Sequence, residues 1–290
     1  MGGQRWVPLA LLLCVFTSGC ISSRIIPKES VLHSLRAISV VPIEGMPLVF
    51  NPDTPDDVRA IKALMQSTER QMSARAPSVN GSETSLSRSD APLAAVSPPR
   101  TLGAGAIFEL PVAALAGREE PNETAVIETG QPSQTWMPNV EFAQTAMDAL
   151  QRGGKREVKM IDGYVKLPIT DRSITSHMEN WLGPIRRLYN SDVSTIDYTG
   201  IGPDWADAVL EVGTLQYEYS IGRLLLTVFV RLVDPRTKQV LGRARNYSYP
   251  KAGPLTPLLQ NDATEMKRLV AETGNRLVTK CLAEMGLISD

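Results

Sequence analysis

Side chains able to act as nucleophile, metal ligand or proton carrier are few in this chain of 290 residues: the cysteines are Cys14, Cys20 and Cys281, and the histidines are His33 and His177. A zinc site takes three or four closely set nitrogen or sulfur ligands, and nothing in the sequence groups them so. A hydrolase triad built on His177 needs an activated serine, yet no G-x-S-x-G turn is present. Gly153-Gly154-Lys155 lacks the earlier glycine and the following Ser or Thr of a phosphate-binding loop, and Gly200-Ile201-Gly202 runs into Pro203. Asp192, Asp197, Asp204 and Asp207 form an acidic cluster without the ordered spacing of a calcium loop, so turn and cap duties account for them better. The expectation is a protein with no catalytic residue, no metal and no cofactor. Recognition chemistry is better represented. Tyr217 and Tyr219, with Tyr247 and Tyr249, place aromatic rings on predicted strands, and Arg243 and Arg245 point to one side of a strand. Tyr217, Tyr219, Arg243, Arg245 and Tyr247 therefore form the candidate partner surface. Cross-strand aromatic pairing and a solvated sheet face are the plain alternatives.

Cys20 has a context of its own. A positive start at Arg5 is followed by ten almost uninterrupted apolar residues, Val7 to Phe16, and then by the small residues Thr17, Ser18 and Gly19. That order is a secretory signal peptide. Spanning hydrocarbon takes about 20 apolar residues, so the run is too short for a permanent span. Thr17-Ser18-Gly19-Cys20 resembles the bacterial lipobox, with Thr17 where the family prefers Leu, Val or Ile. The resemblance implies cleavage between Gly19 and Cys20 and a diacylated sulfur on Cys20. In that family two or three acyl chains give a stable anchor, whereas one chain anchors only marginally. Ile21, in place of the aspartate that retains such proteins at the inner membrane, implies the outer membrane, facing the periplasm. Two other readings stay open: ordinary signal cleavage leaving Cys20 bare, and a chance cysteine in a core strand.

Charge and composition exclude some classes. A formal net charge of −1 provides no basic footprint for nucleic acid, so no nucleic-acid partner is expected. The 43% apolar share suffices for a globular core. With Cys14 removed and Cys20 acylated, Cys281 has no partner for an intramolecular disulfide. It sits on the apolar face of a predicted helix, where a lone cysteine acts as a small hydrophobe.

Periodicity supplies the elements. Residues 20–35 read as a tether, and Ala37 to Ile43 as a first strand with Pro42 near an edge or bulge. Ten of the 21 prolines fall in residues 51–138, read as a largely disordered insertion holding one helix, Val58 to Met72, capped by Asp57. Val140, Ala143, Met147 and Leu150 mark a helix that Gly153-Gly154 stops. Glu157 to Val165 reads as a strand, and Ile174 to Leu188 as a second helix kinked at Gly183-Pro184. Ala208 to Tyr219, Arg223 to Val233 and Val240 to Tyr249 form an antiparallel meander, with a bulge at Gly213 reconciling two apolar parities. A long helix with a capping box at Asp262 and Glu265 runs to Gly286 and must cover a sheet.

The expected fold is α/β: a mixed sheet with a three-stranded meander, covered by the long C-terminal helix and an earlier helix. The division is 1–19 signal peptide, 20–35 tether, 36–46 with 139–290 as one domain, and 51–138 as insertion. This order resembles small envelope domains such as the curli secretion lipoprotein, the lipoprotein activators of penicillin-binding proteins and the amino-terminal domain of the Tol translocation protein. The segment Ala206–Tyr249 also looks like uncharacterised bacterial lipoproteins. The resemblance implies a non-catalytic accessory or assembly factor in an envelope protein complex for transport, secretion or cell-wall synthesis. Two alternatives are an envelope hydrolase whose site forms from distant residues and a subunit of an oligomeric secretion pore.

Overall fold

Six consecutive buried positions distinguish Ala37–Pro42 (β1), which lies inside the main sheet of the computed structural model. A strand covered on both faces reads as a continuous apolar run, and this one does. The structure describes residues 24–52, 54–75, 126–129, 136–154, 156–169, 178–198 and 206–289. The leader, Cys20, His177, Asp204, Gly200 to Gly202 and residues 76–125 lie outside the described residues. The chain divides into two compact units, Met1–Gln66 with Glu123–Asp290, and Ser67–Asn122.

The main sheet is mixed. Strands Glu157–Met160 (β4), β1 and Ala208–Ser220 (β6) run parallel, and β6, Arg223–Val233 (β7) and Val240–Ser248 (β8) form the expected antiparallel meander. Val49–Asn51 (β2) continues the line of β1 by pairing with Glu218 to Ser220, so the sheet extends to Asn51, the first residue assigned above to the insertion. Pro42 stands in an interior strand rather than at an edge. The β4 ladder ends at Val40–Met160, so no neighbour there needs the N–H that proline lacks.

The stretch Glu157 to Val165 is two strands. Asp162-Gly163 makes a turn, with Gly163 at φ 149°, and Gly163–Lys166 (β5) leaves the main sheet to pair with Val126–Thr129 (β3). Helix Pro55–Arg75 (α2) follows the short Glu29–Ser34 (α1) and begins earlier than expected. Its cap is Thr54, and Asp57 is the reciprocal partner: Asp57 N–H donates to Thr54 Oγ1 at 3.1 Å, and Thr54 N–H donates to the Asp57 carboxylate at 3.1 Å.

Helix Pro138–Arg152 (α3) buries Phe142, Ala143, Ala146, Ala149 and Leu150, a face turned slightly from the expected stripe. The final helix, Leu255–Glu284 (α5), places Met266, Val270, Leu277, Val278, Cys281 and Leu282 against the sheet as anticipated. Its capping box does not form. Gln260 to Ala263 break the helix, with Asn261, Asp262 and Ala263 at positive φ. Asp262 instead pairs with Lys267 at 2.6 Å, and Glu265 pairs with Arg268. The C-terminus closes as read, on Gly286 at φ 70°: Leu287 N–H reaches Leu282 O at 3.0 Å and Gly286 N–H reaches Ala283 O at 2.9 Å.

α3 and α5 pack closely because Gly274 leaves room for the Phe142 ring; a Cβ there would overlap it. Gly274→Ala should therefore destabilise the domain by about 1–3 kcal/mol, the cost of overpacking, despite alanine's better helix propensity. Urea unfolding would measure it, and a stabilised variant would refute the packing argument.

The N-terminal residues are no free tether. Ile25 pairs antiparallel with Arg243 through both backbone bonds, at 2.9 and 2.8 Å. Pro27 packs over Gly242, and Arg24 bonds the Glu284 carbonyl at 2.5 Å. Arg156 ties the carbonyls of Leu32 and Leu287 together. From Arg24 onward the chain is part of the domain.

Candidate functional site

Alternation along a strand sends successive side chains to opposite faces, and here it separates a core face from a functional one. Leu210 and Val212 face α3 and α5. The register shift between Thr214 and Gln216, two residues beyond Gly213, puts Tyr217 and Tyr219 on that same face. Tyr217 is 4% exposed and Tyr219 2%. The Tyr219 hydroxyl donates to Gly253 O at 2.7 Å, and burial, then Glu141, pushes the Tyr217 phenol above its ordinary range. Both are core residues, which corrects their place in the candidate surface. Gly213 serves another purpose: a side chain there would run into the Phe229 ring.

The opposite face carries a buried polar ladder across three strands. Glu211, Arg231 and Arg243 are successive register partners. Arg231 Nη1 lies 2.9 Å from the Glu211 carboxylate, with both side chains fully buried. Ser194 Oγ donates to Glu211 Oε1 at 3.0 Å, and the Tyr198 hydroxyl donates to the same oxygen. Burial first, then the Glu211 charge, raises the Tyr198 phenol well above its usual value, which keeps it a neutral donor.

Arg243 is 6% exposed, so it too leaves the candidate surface. Its Nη1 reaches Tyr189 O, Asn190 O and Ser191 O at 3.1, 2.8 and 3.3 Å. Those are the last two carbonyls of Met178–Asn190 (α4) and the one that follows it; the helix runs on through Pro184. A cation at a helix C-terminus satisfies orphan carbonyls and meets the negative dipole end. Arg231 adds a contact to Ser191 O at 3.4 Å. The ladder fastens α4 and the loop through Tyr198 to the sheet. It was not foreseen, although Glu211 and Arg231 at opposite positions on adjacent predicted strands were the available signal.

The aspartates separate as well. Asp207 accepts the backbone N–H groups of Arg36 and Ala37 at 2.7 and 3.0 Å, bonds that hold its carboxyl below the usual range. Asp192 pairs with Arg243 at 3.2 Å. Among the described residues no group of three His, Cys, Asp or Glu side chains is placed to hold a metal. Cys281 is buried, with Asn246 Nδ2 donating to its Sγ at 3.4 Å, and desolvation pushes its thiol up to about 12.

Beyond α4 the same face opens. A groove of about 790 Å³ is lined by Arg186 and Tyr189 of α4 and by Gln216, Thr227, Arg245 and Tyr247 of the meander, among others. Arg245 is exposed and lies 5.7 Å from the Tyr189 ring centroid, and Tyr247 is 73% exposed. Of the five candidate surface residues, the structure brings these two together on an open face. Arg186 is the neighbour that sequence reading missed. The groove can offer two guanidinium groups and aromatic edges to an acidic or amide-rich segment.

No protein-family model matches the chain, and no curated protein does. Among solved structures, the PelC dodecamer of Paraburkholderia phytofirmans is similar at 13% identity and a TM-score of 0.31, covering 57% of this chain and 86% of that one. A hypothetical protein of Chlamydia trachomatis is similar at 14% identity and 0.30, covering 55% and 92%. A lipoprotein of Neisseria meningitidis is similar at 14% identity and 0.24, covering 51% and 96%. No role passes from these proteins to this chain at such scores.

Proposed function

We propose that this protein is an envelope lipoprotein, lipid-anchored through Cys20 at the outer membrane and facing the periplasm. On this reading it works without catalysis, as an accessory or assembly factor that binds another envelope protein. The observation that carries the binding role is the open groove over Gln216, Thr227, Arg245 and Tyr247. Its floor is sheet and one wall is α4, which the arginine ladder fixes in place. A rigid floor lowers the entropy lost on docking, and Arg and Tyr are the residue types that dominate binding energy at interfaces. The signal peptide and the thiol after Gly19 support the location.

The test is affinity capture from detergent-solubilised envelopes with the native chain and with the double variant Arg245→Glu, Tyr247→Ala. Both side chains are exposed, so the fold should survive, as circular dichroism would show. Recovery of a defined partner should fall at least about tenfold, since interface hot spots contribute about 2 kcal/mol or more each. Equal recovery by both chains would refute the groove as the binding site.

A further inference from the structure

We infer that the β6–β7 hairpin tip is a membrane-contacting surface that rests on the anionic headgroup region of a phospholipid bilayer. The inference rests on the proposed anchor at Cys20. Ile25 pairs antiparallel with Arg243 of β8, so Arg24 lies on the Ser248 side of Ile25, the side of the tip. Cys20 lies five positions before Ile25, a stretch of at most about 18 Å when extended. The same number separates Arg243 from Ser248. An acylated Cys20 would thus be held within that reach of Ile25, a distance that includes the tip end of β8.

The tip is built for contact. Ile221 and Gly222 form a two-residue turn with φ 51° and 65°, and Ile221 is 73% exposed. A β-branched residue in the left-handed region, displayed to water, carries both a backbone and a solvation cost, and burial in an apolar medium relieves the second. Tyr249 and Val58 are also exposed at this end, at 42% and 37%, and Thr54, Asp56 and Asp57 line one depression with Ile221. Arg223 and Lys251 are exposed bridge partners beside them. Arg223 is held over the Tyr249 ring at 5.2 Å, and its Nη1 donates to Tyr249 O at 3.1 Å. Ala252 and Gly253 N–H groups bond Gly222 O at 2.8 and 3.1 Å, bracing the turn. Of the nearby carboxylates, Asp56 pairs with Arg59, Asp57 accepts from Thr54 and Glu218 accepts from Asn51. An apolar apex with an interfacial tyrosine and two cations suits a headgroup layer.

The test attaches an environment-sensitive fluorophore to Ile221→Cys, or to Arg236→Cys at the opposite turn, in the mature acylated chain. Cys281 is buried and will not compete for label. In vesicles of phosphatidylglycerol and phosphatidylethanolamine, the label at 221 should shift to the blue and be quenched by spin-labelled lipid, and the label at 236 should not. Vesicle-bound protein with both positions unquenched would overturn the tip while leaving the anchor intact. In parallel, the unacylated Cys20→Ser chain starting at residue 20, without the leader, should bind the same vesicles in a salt-sensitive way, weakened about tenfold by Ile221→Asp, as expected for one apolar side chain leaving its burial site. Ile221-dependent binding with a bare native Cys20 would sink the anchor and keep the tip. A shift at 221 in lipid-free protein that grows with concentration would assign the tip to a second copy and overturn the proposal.

Discussion

Arg231→Ala should lower the free energy of unfolding by about 3–5 kcal/mol, the cost of removing one partner from a buried ion pair. The reason is the carboxylate left behind. Glu211 is fully buried and 2.9 Å from Arg231, and its remaining donors, Ser194 and Tyr198, are neutral hydroxyls. Arg231 also helps hold the carbonyl at Ser191, so α4 should loosen with it. The double variant Glu211→Leu, Arg231→Met should lose less than the sum of Glu211→Leu and Arg231→Met, because no charge is then stranded. It should not recover fully, since Tyr198 and Ser194 lose their shared acceptor and each unsatisfied buried group costs about 1–3 kcal/mol. A double-mutant cycle in urea decides the matter. A loss below about 1 kcal/mol for Arg231→Ala would show that the pair is peripheral to stability.

Cys20→Ala should remove all incorporation of a fatty-acid probe and leave the leader uncleaved at Gly19. Each buried methylene contributes about 0.8 kcal/mol to membrane attachment, so loss of the acyl chains should convert anchoring from stable to transient. The folded domain should be untouched, because its ordered contacts begin at Arg24, with Ile25 on β8 and Pro27 over Gly242. Thermal unfolding of the mature native and unacylated chains should then superimpose. Label retained by the variant, or a native chain whose mass shows a bare thiol, would end the lipoprotein reading. The tether expected for residues 20–35 is also too long by about twelve residues. Docking from Arg24 leaves residues 20–23 as the link, so an anchored Cys20 would hold the domain against its surface.

The sequence alone determined the elements whose periodicity is complete within one segment. The apolar stripe from Met266 to Met285 specified a helix that needs a sheet beneath it, and alternation from Arg223 to Val233 specified a strand inside a meander. The change of parity near Gly213 specified a bulge. Local pattern suffices there because burial of one face follows directly from spacing. Tertiary structure decided which face meets solvent. Tyr217 and Tyr247 sit in similar strand contexts, yet one is buried in the core and the other stands exposed in the groove beside α4. Arg243 and Arg245 share a parity, yet the terminal carbonyls of α4 take up the first, while the second stays exposed beside the Tyr189 ring. A charged residue becomes a buried anchor or a free contact according to where a helix distant in sequence ends, and no window of neighbouring residues contains that distance.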